Sequence, residues 1–443
     1  MLALPFSDLR RLTLLLASLA LIPDAASGQS VDGVWRSRGY GWIVEAGAPL
    51  QVWHQAGDLC WPEPDPALAG ALAVTVLRPD GAAVLSDGED DQSTGYVFDR
   101  LPALPDACRT PATGDAASVQ AVAELMSAWY PGFEGRGVDF AARRRSSLAD
   151  LPAHVAPQPA FAALQAMLAG LDDPHLELEA EVAGEDLGLT QSQGLTLDRI
   201  HARPGDRPER AWLSAWRDGV ERRILAGRGH AAANNRIFWG VNDGVGYLAI
   251  LTMGGFDPGD GESLVPLDAA LDEAMAAFAG ARAVVVDVSN NRGGYDLVSR
   301  RIAGRFADRP RLALAKRAWN SGEPAQPVEV RPVDRPRYLG PVILLTSDIT
   351  VSAGESFTLA MRALPNVTHI GTRTRGALSD QFPVTLPNGW RFAMPAEVYT
   401  DPEGRNLEGV GVTPVRRLDL YPAGRPDSAH ADAVLRLMAE LRR

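Results

Sequence analysis

The sequence predicts an α/β fold with helices packed on a sheet, and three observations carry that prediction. From Val245 onward, short apolar runs alternate with stretches of helical periodicity, as strand–helix units require. Residues 115–175 carry helical spacing alone. Residues 30–110 carry short alternating runs, aromatics and Gly/Pro turns, the pattern of a small β domain.

The chain therefore divides into a leader (1–28), an N-terminal β domain (29–112), a helical bundle (113–180), an α/β core (181–425) and a C-terminal helix (426–443). The leader has Arg10 and Arg11 before an apolar stretch, Leu12 to Ile22, that is too short to span a membrane. Small residues follow at Ala25-Ala26-Ser27-Gly28. This predicts a secretory signal cleaved near residues 27–29 and export, in bacteria to the periplasm. No cysteine sits there to carry a lipid, and an uncleaved anchor is the alternative. No later apolar run reaches the roughly 18 residues of a span.

In the β domain, Trp42-Ile-Val-Glu and Ala73-Val-Thr-Val-Leu read as strands, and Asp80-Gly81 and Asp87-Gly88 as turns. Cys60 and Cys108 are the two cysteines. In an exported chain they point to a disulfide, against the alternative of two buried thiols. In the bundle, Val119-Gln-Ala-Val-Ala-Glu-Leu-Met and Phe161-Ala-Ala-Leu-Gln-Ala-Met-Leu are helical, with Asp115 the expected N-cap. Residues 180–235 are polar and show no clear period. In the core, Val245–Leu251, Ala283–Val288, Val342–Leu345 and Val367–Ile370 read as strands. Leu264–Phe278 and Leu297–Phe306 read as helices, and Pro387-Asn-Gly389 as a hairpin turn. Residues from about Ser428 to Leu441 form a last helix.

The formal net charge of −12 argues against a nucleic-acid partner, which wants a basic face. Lys316 is the one lysine in the chain. No His-Glu-x-x-His or clustered ligand spacing occurs, so neither metal nor cofactor is expected.

Ser352 lies between the Val342 strand and an apolar helical pattern (Phe357, Ala360, Met361, Leu364). A strand-to-helix junction gathers free backbone N–H groups and the positive end of the helix dipole. A serine there can attack a carbonyl while the Ala353 N–H faces the developing oxyanion. The same position also suits a plain N-cap.

Four segments bear on the choice. Val284-Val-Val-Asp-Val-Ser-Asn-Asn-Arg-Gly-Gly294, Thr350-Val-Ser-Ala-Gly-Glu355, Gly371-Thr-Arg-Thr-Arg-Gly376 and Leu407-Glu-Gly-Val-Gly-Val-Thr-Pro414 occur in one order. As a set, over roughly residues 115–420, they resemble the tail-specific, or C-terminal processing, serine peptidases, in the branch with the tricorn core and the retinoid-binding relatives. The resemblance implies a crotonase-like (ClpP/crotonase) α/β core and a peptide or protein substrate. One design in that family pairs the serine with a lysine about 25 residues on. Gly376-Ala377-Leu378 holds none, and Lys316 lies in a predicted strand before the serine. The other design uses serine, histidine and glutamate. Leu171-Asp-Asp-Pro-His175 and Glu408 stand at the matching places, which implies Ser352 as nucleophile, His175 as general base and Glu408 as its orienter. The resemblance also implies that Gly293 or Gly294 supplies the second oxyanion donor beside Ala353.

Two features depart from relatives. Pro174 stands where related Ser-His-Glu enzymes can carry a serine, and the 70-odd residues between His175 and Val245 leave no room for an inserted PDZ module. Arg373 and Arg375, near the place of the other branch's lysine, are candidates to receive a peptide's C-terminal carboxylate; a surface role is the alternative. Glu355 reads as an electrostatic support of the helix N-terminus. A non-catalytic ligand-binding protein on the same fold is the competing function, and an acyl-CoA enzyme of the wider crotonase-like group is a third. The substrate's identity and the oligomeric state are not written in the sequence.

Overall fold

Alternating burial along Gln51–Ala56 is the mark of a strand with one face in a core. In the computed structural model, which describes residues 32–442 except 48, 73, 89, 134, 135, 150, 260–262 and 426, that strand belongs to a seven-stranded antiparallel sheet. The predicted leader lies outside the described residues. The sheet comprises β1 (Gly33–Ser37), β2 (Trp42–Ala46), β3 (Gln51–Ala56), β4 (Leu59–Pro62), β5 (Val74–Leu77), β6 (Ala83–Ser86) and β7 (Tyr96–Leu101). Its spatial order is β4-β3-β2-β1-β7-β6-β5. Helix α1 (Pro66–Ala71) connects β4 to β5, and the short α2 (Asp106–Arg109) follows β7. Cys60 on β4 and Cys108 on α2 are joined by a disulfide.

Helices α3 (Asp115–Trp129), α4 (Phe140–Ala149) and α5 (Pro157–Leu168) pack together. The N-cap of α3 is Gly114 at φ 85°, one residue before the expected Asp115. Asp115 instead occupies the first turn, where its charge suits the helix dipole, and accepts the Asn388 side-chain amide at 2.7 Å. The stretch that shows no period in the sequence folds as the hairpin β8 (Glu177–Val182) and β9 (Glu185–Thr190), then α6 (Leu195–His201) and α7 (Pro208–Asp218). Trp212 and Trp216, four apart on α7, are both buried.

The core sheet begins with β10 (His230–Ala232), β11 (Ile237–Asn242) and β12 (Val245–Ile250). Helix α8 (Val265–Phe278) leads to β13 (Ala283–Asp287), and α9 (Asp296–Ala303) leads away from it. Next come β14 (Arg311–Ala318), β15 (Gln326–Val330), β16 (Val342–Thr346), α10 (Ala353–Arg362) and β17 (Val367–Gly371). The hairpin β18 (Gln381–Thr385) and β19 (Arg391–Pro395) follows, then β20 (Glu397–Thr400), β21 (Arg416–Arg417) and α11 (Ala429–Leu441). The core order is β10-β11-β12-β13-β16-β17-β21, parallel from β12 onward. Strands β13 and β16 are buried at every residue, as a parallel sheet covered on both faces demands.

Two small sheets tie the parts together. One has the order β15-β14-β20, the other β18-β19-β8-β9. A single apolar cluster contains Trp42, Trp61 and Phe98 of the first sheet, Val122 and Leu164 of the helices, and Phe382 and Phe392 of the β18–β19 hairpin. The first sheet is thus continuous in packing with the helices and that hairpin. His430 stacks on Tyr421, with ring centroids 5.6 Å apart. It lies on the buried face of α11, 2.7 Å from Asp287 at the end of β13.

Candidate active site

Ser352 is the N-cap of α10, just beyond the carboxyl end of β16. Ligand sites of open α/β sheets lie at that end of the strands. Its backbone is at φ 57°, ψ −128°, a region costly for a residue with a Cβ, by about 1–3 kcal/mol. The surroundings hold it there. Its N–H donates to the Ala377 carbonyl at 2.9 Å and to the Glu355 carboxylate at 3.3 Å. Glu355 is fully buried and reaches further than a helix-end charge would. It accepts from Thr374 Oγ1 at 2.5 Å and from the N–H groups of Gly376 and Ala377 at 2.8 Å each. Burial pushes its carboxyl up to about 7. Its work is to tie the 374–377 segment to the head of α10.

The Gly293–Gly294 turn stands against the serine. A Cβ on Gly293, at φ 79°, would lie 2.8 Å from the Ser352 Cβ. Asn291 holds this turn: its Oδ1 accepts the Gly293 N–H at 2.9 Å, and its Nδ2 donates to the Ile250 carbonyl at 3.0 Å. The same oxygen lies where a Cβ on Gly354 would fall, at 2.6 Å, so Gly354 lets α10 and the turn approach. Met253 bonds the residues on either side of Gly294, donating to the Gly293 carbonyl at 2.6 Å and accepting the Tyr295 N–H at 2.9 Å. That parallel bridge directs the Gly294 N–H away from Met253. With the Gly293 N–H engaged by Asn291, Gly294 carries the outward donor of the pair.

His175 is buried at the end of the helical region. Its N–H donates to Asp173 Oδ1 at 3.0 Å. Asp173, itself fully buried, accepts on its other oxygen from Tyr130 OH at 2.8 Å and Arg136 at 3.1 Å. The Gln381 side chain donates to the His175 carbonyl at 3.5 Å. Desolvation lowers the imidazole pKa, against the charges of Asp173 and Asp380 and a hydrogen bond with the Ser379 backbone. Burial thus favours the neutral ring, the form a base needs. Its Nδ1 is buried with no partner among the described residues.

Glu408 is placed by two backbones that nearly touch. The Gly409 N–H donates to the Gly376 carbonyl at 2.8 Å, and Val412 N–H to Thr374 Oγ1 at 2.7 Å. A Cβ on Gly376 would lie 2.8 Å from the Gly411 nitrogen. Glu408 Oε2 accepts from the N–H groups of Leu378 and Ser379, at 2.9 and 3.2 Å. Its Oε1 has no partner among the described residues. Burial, then the charge of Asp173, pushes its carboxyl up to about 8.

Among the described residues no hydrogen bond joins Ser352 to His175, or His175 to Glu408. One short segment, Ala377–Gln381, instead touches all three: Ala377 the serine, Leu378 and Ser379 the glutamate, Ser379 and Gln381 the histidine. Catalytic hydrogen bonds are often long before substrate closes the site. Of the two arginines, Arg375 is engaged. Its guanidinium binds Asp172 at 2.7 Å and the Ser192 carbonyl at 2.9 Å, which leaves it as a strut rather than a receptor. Arg373 is exposed and makes one long bond, 3.4 Å, to the Val410 carbonyl. Lys316 is buried on β14, 3.6 Å from Asp380. Sequence reasoning missed Asp173, Asn291 and the Ala377–Gln381 segment. The first two sit inside quoted motifs, beside the residues they hold, and their acidic and amide side chains were the available signal.

Residues 244–416 match the family model described as Peptidase family S41. No curated protein matches. Among solved structures, a candidate peptidase from Parabacteroides merdae is similar at 23% identity and a TM-score of 0.59, covering 74% of this chain and 97% of that one. Mature CPAF is similar at 15% identity and a TM-score of 0.52, again over 74% and 97%. These likenesses show the fold, an α/β peptidase core.

Proposed function

We infer, from a chain whose residues 244–416 belong to peptidase family S41 and which is therefore a serine-type peptidase, that it hydrolyses peptide bonds through an acyl-enzyme on Ser352. The observation that carries this reading is the convergence of Ser352, His175 and Glu408 on the Ala377–Gln381 segment. A hydroxyl is a weak nucleophile and needs a base. His175, kept neutral by burial, takes the Ser352 proton as Oγ bonds to the scissile carbonyl carbon. The oxyanion that forms is met by the N–H groups of Ala353 and Gly294. His175 then gives its proton to the leaving amine, and the C–N bond breaks. Water, deprotonated by the same ring, releases the acid and restores the serine.

Glu408 orients His175 once its carboxyl is ionised and turned, and its unpartnered oxygen is the group available for that. Arg373 is the arginine able to receive a substrate's terminal carboxylate. Equal cleavage of a free-acid peptide and its amide would remove that role. Export to the periplasm completes the proposal, supported by the leader's composition and by the disulfide, which an oxidising compartment maintains. No helix among the described residues is long and apolar enough to cross a membrane.

Labelling with a fluorophosphonate tests the reading. The wild-type protein should be labelled, and Ser352→Ala and His175→Ala should not. Labelling that survives Ser352→Ala would place the nucleophile elsewhere.

A further inference from the structure

Two cavities meet beside the candidate active site, and the first β-sheet walls both of them. One, of about 170 Å³, reaches from Gly294 and Tyr295 at the oxyanion turn to Lys316 on β14. The other, of about 210 Å³, lies between β2, α1 and β18, and its walls include Tyr40, Trp42, Leu68, Phe382 and Val384. Ala71, Tyr96 and Asp380 line both, so the two lie side by side with these three side chains between them, and together they mark one path. The path starts at Gly294 and Tyr295 and ends among aromatic rings. Tyr40 and Trp42 stack at 4.7 Å, and Phe382 lies within 6 Å of each.

The floor of the second chamber is an open strand. In the order β18-β19-β8-β9, β18 has a partner on one side only. The hairpin fixes which groups face outward. Leu386 bonds Trp390, so the alternate residues Val384 and Phe382 complete the ladder with Phe392 and Met394. Gln381, Pro383 and Thr385 turn their backbone groups away from β19. At Thr385 those groups are already used: its N–H by Glu63 at 3.0 Å, its carbonyl by the Trp61 indole at 2.7 Å. The outward backbone of Gln381 and the carbonyl of Pro383 lie nearer the site. Pro383 itself is tolerated because an edge strand needs no N–H there.

Resting on the peptidase reading above, we propose that this path is a substrate subsite: an extended peptide adds along the Gln381–Pro383 edge and seats an aliphatic or aromatic side chain in the Trp42–Phe382 chamber. Strand addition gives affinity through main-chain bonds, and a pocket for an alternate side chain gives selectivity. The size argues for a side chain. Small-molecule pockets run to about 300–1,000 Å³, and the aromatic chamber is below that range. The charges fall in the right place too. Asp380, half-exposed at the junction, is matched by Lys316 at 3.6 Å, so polar groups line the approach while rings line the end. The first sheet thereby acquires a role in choosing substrate, which its sequence does not suggest.

The test uses the mature protein and quenched-fluorescence peptides that differ at one position by Leu, Phe, Asp or Lys. At one position Leu or Phe should exceed Asp or Lys by about tenfold or more in kcat/KM. Ala67→Trp and Ala71→Trp, which fill the chamber from α1, should abolish that preference. Their melting temperatures establish that each is folded. Labelling of wild-type protein by fluorophosphonate separates the two levels. A labelled enzyme with no apolar preference at any position, or with the preference intact in both folded variants, overturns the subsite alone. A wild-type protein that is not labelled overturns the peptidase reading and the subsite with it.

Discussion

At Ser352 the backbone is held where a side chain is unwelcome, and the hydroxyl is presented as a result. Ser352→Ala keeps a Cβ and keeps the cost, whereas Ser352→Gly relieves about 1–3 kcal/mol. Both variants should be inactive, but the glycine variant should unfold at higher denaturant than the alanine one. Equal midpoints would mean that the φ of 57° carries no strain. His175 makes a second prediction. Its lowered pKa places the acid limb of kcat/KM below pH 6.5, because the neutral base survives to lower pH than a free imidazole. Its removal should cost about 10²–10⁴ in rate, and Glu408→Gln less, since the base remains.

Glu408 also answers to pH through stability. Its folded pKa of about 8 lies above the ordinary 4.5. Between those values the unfolded chain has lost the proton and the folded one retains it, so stability falls as pH rises through that window. Glu408→Gln should remove this term, and its stability relative to wild type should grow from pH 4.5 to pH 8. A difference that is flat with pH would show the carboxyl to be ordinary. These residues were legible because each sits in a short motif with its neighbours. Asp173 was not assigned, because its partners Tyr130 and Arg136 lie 43 and 37 residues away.

Among elements, the decisive contact is α10 against the 291–294 turn. Gly354→Ala would drive a methyl to within 2.6 Å of Asn291 Oδ1 and dislodge the oxygen that fixes Gly293. We expect kcat to fall by about 10²–10³, the usual effect of a lost oxyanion donor, with KM little changed. A rise in KM alone would assign the turn to substrate binding instead. Most strands and helices here follow from period. The parallel strands are uniform apolar runs, and α8 and α11 fall within a residue or so of where their spacing puts them. The hairpin β8–β9 escaped although Glu177–Val182 alternates strictly, with Leu178, Ala180 and Val182 buried, because its exposed positions are glutamates, which are poor strand formers, and its buried face is short. Lys316 shows the other limit. Its strand was readable, but burial beside Asp380 depends on β14 meeting a loop more than sixty residues on.

For the whole molecule, the disulfide closes a loop of 48 residues, which on the chain-entropy model stabilises by about 4 kcal/mol. Cys60→Ser with Cys108→Ser should lower stability by about that amount in denaturant unfolding, and a loss under about 1 kcal/mol would show that the ends are held without it. The bond was expected from composition. That the sheet it staples would share a core with the 381–395 hairpin was not, since nothing local in Trp42 or Trp61 names Phe382 as a partner.

That shared core has a consequence for descent. Trp42 and Trp61 are packed against the hairpin whose first residues, through Ser379 and Gln381, hold the histidine and glutamate. An exchange of the front sheet between two diverged relatives would bring in rings shaped for another hairpin, and the damage would reach the catalytic groups. The sheet and the hairpin should therefore change as one unit: substitutions in one are expected to be answered in the other, and a graft is expected to succeed only when it carries both.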